Sequence, residues 1–270
     1  MQIELQHWLM DRVDGDRRAF YVSGAETTVT LDGPALRVVR PEQAPVFCPL
    51  ARIGRVVSKG AVVWDAAALM ACARAGIPVI FQLPDSAMCG YLFGWSPTDD
   101  ALYRCLREQL KKPEGARRYA EWRRVMMDRA QSVLGRQLPE LAKGNVQERR
   151  DRLQQLRRRE ISAAQDEVLA GRLRALVGAL AAELLMEAGI DALRLSRLGK
   201  FLLGDLVELL GCALEWPVLR ALQVRRQEGA LAPDLNEDIE LVRFFEGQSE
   251  DLRRMGRLVL EQLQKSLEGK

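Results

Sequence analysis

The sequence predicts an α+β protein of two domains, an N-terminal β-rich domain over residues 1–95 and an all-α, basic C-terminal domain over 96–270. Three observations carry that division. Short, alternating, β-branched segments fill residues 19–94. Helical periodicity fills the chain from Ala101 onward. The charge changes sign where the pattern changes.

The elements follow in order. Ala19-Phe20-Tyr21-Val22 is a short apolar strand. The stretch 27–31 alternates and is β-branched, Asp32-Gly33 is a hairpin turn signal, and 35–39 returns as the second strand. Segments 45–50, 53–57 and 61–64 continue the set. Asp65 is placed to cap a short helix over 66–75, which Gly76 ends. Residues 77–81 form a buried strand and 91–93 close the domain. Trp95-Ser96-Pro97-Thr98-Asp99-Asp100 is the linker, because Pro97 and the polar cluster break periodicity. Beyond it, Leu102, Cys105, Leu106 and Leu110 fall on one helix face, and Tyr119, Trp122, Met126, Ala130, Val133 and Leu134 do the same. An apolar helix spans 168–188 with Gly189 as its end, and another spans 202–214, with a break or kink at Pro217. The last amphipathic helix carries Leu252, Met255, Val259, Leu263 and Leu267.

Composition excludes several classes. The chain has 270 residues, 48% hydrophobic and 29% charged, so it has enough apolar surface to fold. No run of about 18 apolar residues predicts a membrane span. Met1-Gln2-Ile3-Glu4 lacks the basic and apolar regions of a signal peptide. Five scattered cysteines without a CxxC argue against disulfide scaffolds and zinc ribbons, and predict a reducing cytoplasm. The single histidine, His7, excludes mechanisms that need two, and no serine elbow accompanies it. No glycine pattern of a nucleotide-binding loop is present.

Net charge is +3, but it is unevenly spread. Residues 1–103 carry −2, residues 104–159 carry +10 and residues 160–270 carry −5. The basic block is mostly arginine, with one cluster at Arg117, Arg118, Arg123 and Arg124 and a second at Arg149, Arg150, Arg152, Arg157, Arg158 and Arg159. Arginine forks suit phosphate, so the block points to a polyanion partner rather than to ion pairs along a solvated helix face such as Glu114–Arg118.

A family resemblance joins the two halves. Phe20-Tyr21-Val22-Ser23-Gly24, Leu36-Arg37-Val38-Val39, Cys48 through Val57, Ala66-Ala67-Ala68-Leu69, Ala75 through Phe81 and Gly90-Tyr91-Leu92-Phe93-Gly94 resemble, in order and spacing, the N-terminal β-domain of the Cas-one family of CRISPR adaptation integrases. Residues 119–136 are similar to that family's helix ending in a Gln-x-x-Leu-Leu pattern, with Asp128 where lysine is usual. Ala188-Gly189-Ile190 and Lys200 through Glu208 resemble its "aGldp" and "LalDLmE" segments. The resemblance implies dimerisation through the β-domain, DNA (double-stranded or branched) as ligand, and a small Cas-two-like protein as partner. It also implies a divalent ion, Mg²⁺ or Mn²⁺, held by a glutamate, a histidine and an aspartate, at which a DNA 3′-hydroxyl attacks a phosphodiester.

The departures from that pattern shape the functional expectation. Where the family has its histidine, this chain has Arg194-Leu195-Ser196. Asp205 and Glu208 remain at i,i+3 as candidate catalytic and metal-ligating acids. The family's glutamate has no counterpart with its surrounding motif, although Glu160 and Glu167 lie in the same part of the chain. An arginine beside a metal position repels the cation by Coulomb's law and suits a phosphate instead. Three readings stand. The favoured one is a Cas-one-like protein of prokaryotic defence that binds DNA with impaired or absent integrase chemistry and no cofactor. The second is an active, divergent metal-dependent integrase or endonuclease. The third is a non-catalytic dimeric interaction subunit. Candidate DNA contacts are Arg117, Arg118, Arg123, Arg124, Arg149, Arg150, Arg157 and Arg158, together with Arg194, Arg197 and Lys200.

Overall fold

The computed structural model describes residues 17–84, 88–94, 101–141, 146–191, 194, 202–229 and 233–269. His7, the linker 95–100, Arg197 and Lys200 lie outside the described residues. Strands occupy the first part of the chain and long helices the second, so the α+β class predicted from periodicity holds.

Among the described residues eight strands form two four-stranded sheets: β1 (Arg18–Ser23), β2 (Thr28–Asp32), β3 (Ala35–Val39), β4 (Val46–Pro49), β5 (Ile53–Lys59), β6 (Val63–Trp64), β7 (Val79–Gln82) and β8 (Met88–Leu92). The first sheet has the order β1-β5-β7-β8, with β8 antiparallel to β7 and the other pairs parallel. The second has the order β4-β3-β2-β6. Its central hairpin turns at Gly33, whose φ of 57° is the left-handed value the tight loop requires. Helix α1 (Ala66–Arg74) starts at Asp65, whose side chain accepts the Ala67 N–H at 3.1 Å. β8 begins three residues earlier than the apolar run at 91–93 predicts, because backbone pairing with β7 extends back to Met88.

Six further helices among the described residues build the second lobe: α2 (Ala101–Leu110), α3 (Pro113–Gln137), α4 (Val146–Arg158), α5 (Ala163–Glu187), α6 (Leu202–Glu228) and α7 (Asp238–Glu268). Two of them depart from the sequence expectation. α5 starts at Ala163 rather than 168, because Ser162 and Gln165 form a reciprocal capping box. α6 is not broken at Pro217 but runs on to Glu228. Val218, Leu219 and Leu222 continue the buried stripe of Leu206, Leu210 and Leu214, and that burial outweighs the lost backbone hydrogen bond.

The first sheet is the wall between two cores. Val56 and Val79 face α1 and the second sheet, in the core that contains Phe20, Val22 and Leu36. Val57 and Ile80, one residue on, belong to the helical core with Leu180 and Leu184 of α5. Polar residues on the bundle side of β5 follow the same alternation. Arg55 is fully buried and donates to Glu183 Oε2 at 2.5 Å and to Glu246 Oε1 at 2.7 Å. The Tyr21 hydroxyl donates to the same Glu246 oxygen at 2.5 Å, and Arg253 donates to Glu183 Oε1 at 3.0 Å. Gly54 is obligatory here, since a Cβ would lie 2.1 Å from Glu183 Oε1. The β-lobe is therefore locked to α5 and α7 by a largely buried ionic network.

Candidate functional site: an arginine-bridged cleft in the helical bundle

Three helices meet along the solvent side of α6. α6 presents Asp205, Glu208, Cys212 and Glu215, a stripe set by helical spacing. α3 faces it with Tyr119, Arg123, Met127 and Gln131, each four residues after the last. α4 brings Arg149, Arg150 and Arg157. These residues, Tyr119 excepted, line a cleft of about 810 Å³, whose rim includes Asp151 and Arg174.

The acids and arginines that the sequence keeps apart are paired here. Arg123 spans both candidate acids, with Nε donating to Asp205 Oδ1 at 2.5 Å and Nη2 to Glu208 Oε2 at 2.7 Å. The Tyr119 hydroxyl donates to Asp205 Oδ2 at 2.6 Å, and Arg150 donates to Glu208 Oε1. Deeper in the cleft, Arg157 bridges Asp166 of α5 at 2.6 Å and Glu215 at 2.5 Å. Burial pushes the Tyr119 phenol well above its ordinary range, and its hydrogen bond to Asp205 adds to that. Burial also raises the Glu215 carboxyl, against the lowering effect of Arg157. The Cys212 thiol is pushed up to about 11 by burial, so at neutral pH it is not a nucleophile.

Two cations of the cleft lack a carboxylate partner among the described residues. Arg149 donates from Nη1 to the neutral Gln131 Oε1 at 2.9 Å, and its buried Nε has no hydrogen-bond partner among the described residues. Arg174 is exposed on the rim and has no acidic partner among the described residues.

The expected arginine clusters divide between faces. Arg123, Arg149, Arg150 and Arg157 converge on the cleft. Arg124 turns to solvent and pairs along its own helix with Glu121 and Asp128. Arg118 donates to the Leu267 carbonyl at the end of α7, not to Glu114. Arg117 is exposed, and Arg158 is half exposed, 3.9 Å from Asp166. Arg194 donates to the Gly189 carbonyl at 2.6 Å, pairs with Asp191 and lies over the Tyr103 ring, so it closes the end of α5 and does not line the cleft. Trp122 is buried in the core. Glu160 pairs with Arg226, Glu167 is exposed on α5, and neither lines the cleft. Sequence reasoning missed Gln131, Glu215 and Arg174 as site residues. The four-residue spacing from Tyr119 to Gln131 and the seven-residue step from Glu208 to Glu215 are the signals that point to the first two.

The donor set does not suit a divalent ion. All four oxygens of Asp205 and Glu208 accept hydrogen bonds, three of them from arginine. Two guanidinium charges therefore stand where a cation would sit. Among the described residues no group of three His, Cys, Asp or Glu side chains comes together as a metal site.

Comparisons with known proteins place this architecture. The family model of CRISPR associated protein Cas1 matches residues 20–192. A CAS1 protein from Thermotoga maritima superposes with a TM-score of 0.69 at 15% identity, covering 93% of this chain and 97% of its own. A casposase bound to integration product gives 0.59 at 11%, covering 94% and 91%. The protein of a TtCas1–DNA complex gives 0.54 at 17%, covering 93% and 91%. No curated protein matches the chain by sequence. The chain belongs to the Cas1 family, and the structural likenesses establish that the shared fold runs through nearly all of it. No helix among the described residues is long and apolar enough to cross a membrane.

Proposed function

We propose that this protein is a DNA-binding subunit of CRISPR spacer acquisition whose Asp205–Glu208 position holds no divalent metal. Family membership supports the role, and the arginine pairing supports the loss of metal chemistry. The single observation that carries the reading is Arg123 spanning both carboxylates from α3. A metal ion entering there has to displace two arginines, whereas a phosphate is attracted by the same side chains. The DNA contacts in this reading are Arg123, Arg149, Arg150 and Arg157, which line the cleft, and Arg117, Arg118, Arg124, Arg158 and Arg194, which do not, together with Arg197 and Lys200 from outside the described residues. The β-lobe carries the homodimer contact in this reading. Phe47 on β4 and Val63 on β6 support it, because they leave exposed apolar side chains on both edge strands of the second sheet. A small Cas-two-like protein is the proposed further partner.

The test combines binding and chemistry on one preparation. Labelled duplex and branched DNA are titrated by anisotropy across a salt series. A strand-transfer assay into supercoiled plasmid is run with Mg²⁺ or Mn²⁺, with and without a small Cas-two-like protein. Expected are salt-dependent binding and no transfer product. Metal-dependent transfer that disappears in Asp205→Ala overturns the reading in favour of an active integrase, and salt-independent or absent DNA binding overturns it in favour of a protein-interaction subunit.

A further inference from the structure

The geometry points to a built phosphate seat in the cleft, with Arg149 as its fixed anchor and Glu208 as a carboxylate that occupies Arg123 and Arg150 until a DNA phosphodiester replaces it. This deepens the proposed function and rests on it. Asp205 is nearly buried and held by both Tyr119 and Arg123, so it is a fixed part of the bundle. Glu208 differs. Its side chain is 27% exposed, and its partners Arg123 and Arg150 are 45% and 57% exposed. Ion pairs this open to water are weak and exchange readily. A phosphate offers the two forks the same anionic oxygens, and more of them.

Two cations of the cleft, Arg149 and Arg174, have no acidic partner among the described residues. Arg149 has only a neutral amide for a partner and an orphaned, buried Nε. A buried donor without an acceptor carries its full desolvation penalty, and an incoming anion relieves it. Arg174 adds a second unpaired cation at the rim. Asp151 is the opposing charge there, exposed and bonded by Gln147. The volume of about 810 Å³ is far more than one anion needs, which favours a strand over a free ion. Glu208 thus serves as a built-in competitor: it keeps Arg123 and Arg150 ordered when DNA is absent and lowers affinity for DNA in the cleft.

The test is anisotropy of a labelled DNA duplex over a salt series, using the full chain. Glu208→Gln is expected to tighten binding by about tenfold and to steepen the salt slope by about one. Arg149→Gln is expected to weaken binding by about tenfold and to flatten the slope by about one. Arg174→Gln, on an exposed side chain that folding does not need, is expected to move in the same direction as Arg149→Gln. Glu261→Gln changes the net charge equally but lies on the exposed face of α7, and is expected to leave binding nearly unchanged. Equal tightening by Glu261→Gln and Glu208→Gln overturns the seat, because the gain then comes from net charge alone. DNA binding that ignores Arg149, Arg174 and Glu208 overturns the seat while the DNA-binding reading stands; no DNA binding by the unmodified protein overturns both. Inorganic phosphate is titrated alone by calorimetry. Saturable binding that Arg149→Gln abolishes, with DNA affinity unchanged, overturns the assignment to a DNA strand in favour of a free phosphate site.

Discussion

Replacing Glu183 by Gln removes the central charge of the network that joins the β-lobe to the bundle. The carboxylate is 4% exposed and accepts from Arg55 at 2.5 Å and Arg253 at 3.0 Å. The amide keeps the volume and loses the charge. Arg55, with no exposed side-chain surface, is left with Glu246 alone, and Arg253 with Glu250 at 3.5 Å. Breaking a buried ion pair from one side costs about 3–5 kcal/mol, because the remaining charge stays out of water. For a protein of this size each kcal/mol lowers Tm by about 2–4 °C, so the expected drop is about 6–20 °C. Urea denaturation is followed by circular dichroism and by tryptophan fluorescence, since Trp64 reports on the β-lobe and Trp122 and Trp216 on the bundle. A cycle with Arg55→Met supplies the second arm: the double variant is expected to be less destabilised than the sum of the singles, because each single leaves the other partner stranded. A loss below about 1 kcal/mol for Glu183→Gln, or strict additivity in the cycle, refutes the view that this network locks the lobes. Gly54→Ala is an independent perturbation of the same site, because its Cβ meets Glu183 Oε1.

Two further predictions follow from the bundle. Pro217→Ala restores a helical N–H inside α6 and is expected to raise stability by up to about 3 kcal/mol; an unchanged or lower urea midpoint counts against an unbroken helix there. Tyr21 and Tyr119 are both held protonated well above the ordinary tyrosine range, chiefly by burial. A folded pKa raised above the unfolded one gives stability that is complete below about pH 10 and lost as pH rises further. The unmodified protein is therefore expected to lose stability above that pH, and Tyr119→Phe to lose less of it. Parallel pH–stability curves for the two proteins refute the assignment.

The pairing that decides the candidate site was out of reach of local sequence patterns. The arginine surplus of residues 104–159 looked too large to be balanced within its own helices, and within its own helices it is not balanced. Asp166, Asp205, Glu208 and Glu215, between 9 and 85 residues away in sequence, neutralise much of it. Short-range rules describe partners at i+3 and i+4, as with Arg124, and say nothing of helices that meet only after folding. Arg194 shows the same limit: it follows the Gly189 end of α5 closely enough to cap it, and so does not line the cleft.

Features that depend on neighbours along the chain are legible without the fold. The Asp32-Gly33 hairpin, the Asp65 cap, the Gly76 and Gly189 helix ends and the order of strands before helices all arise from local conformation and hydrophobic period. The sequence also carries the family, because the β-lobe motifs stand in series. Other features arise from packing between distant elements. α6 continues through Pro217 because the bundle buries its far side. Arg55 is tolerated in a sheet core because α5 and α7 bring acids to it. Asp205 and Glu208 are tied up by arginines rather than left open, because α3 and α4 pack where they do. Charge–charge energy depends on distance in space, and that distance exists only in the folded chain.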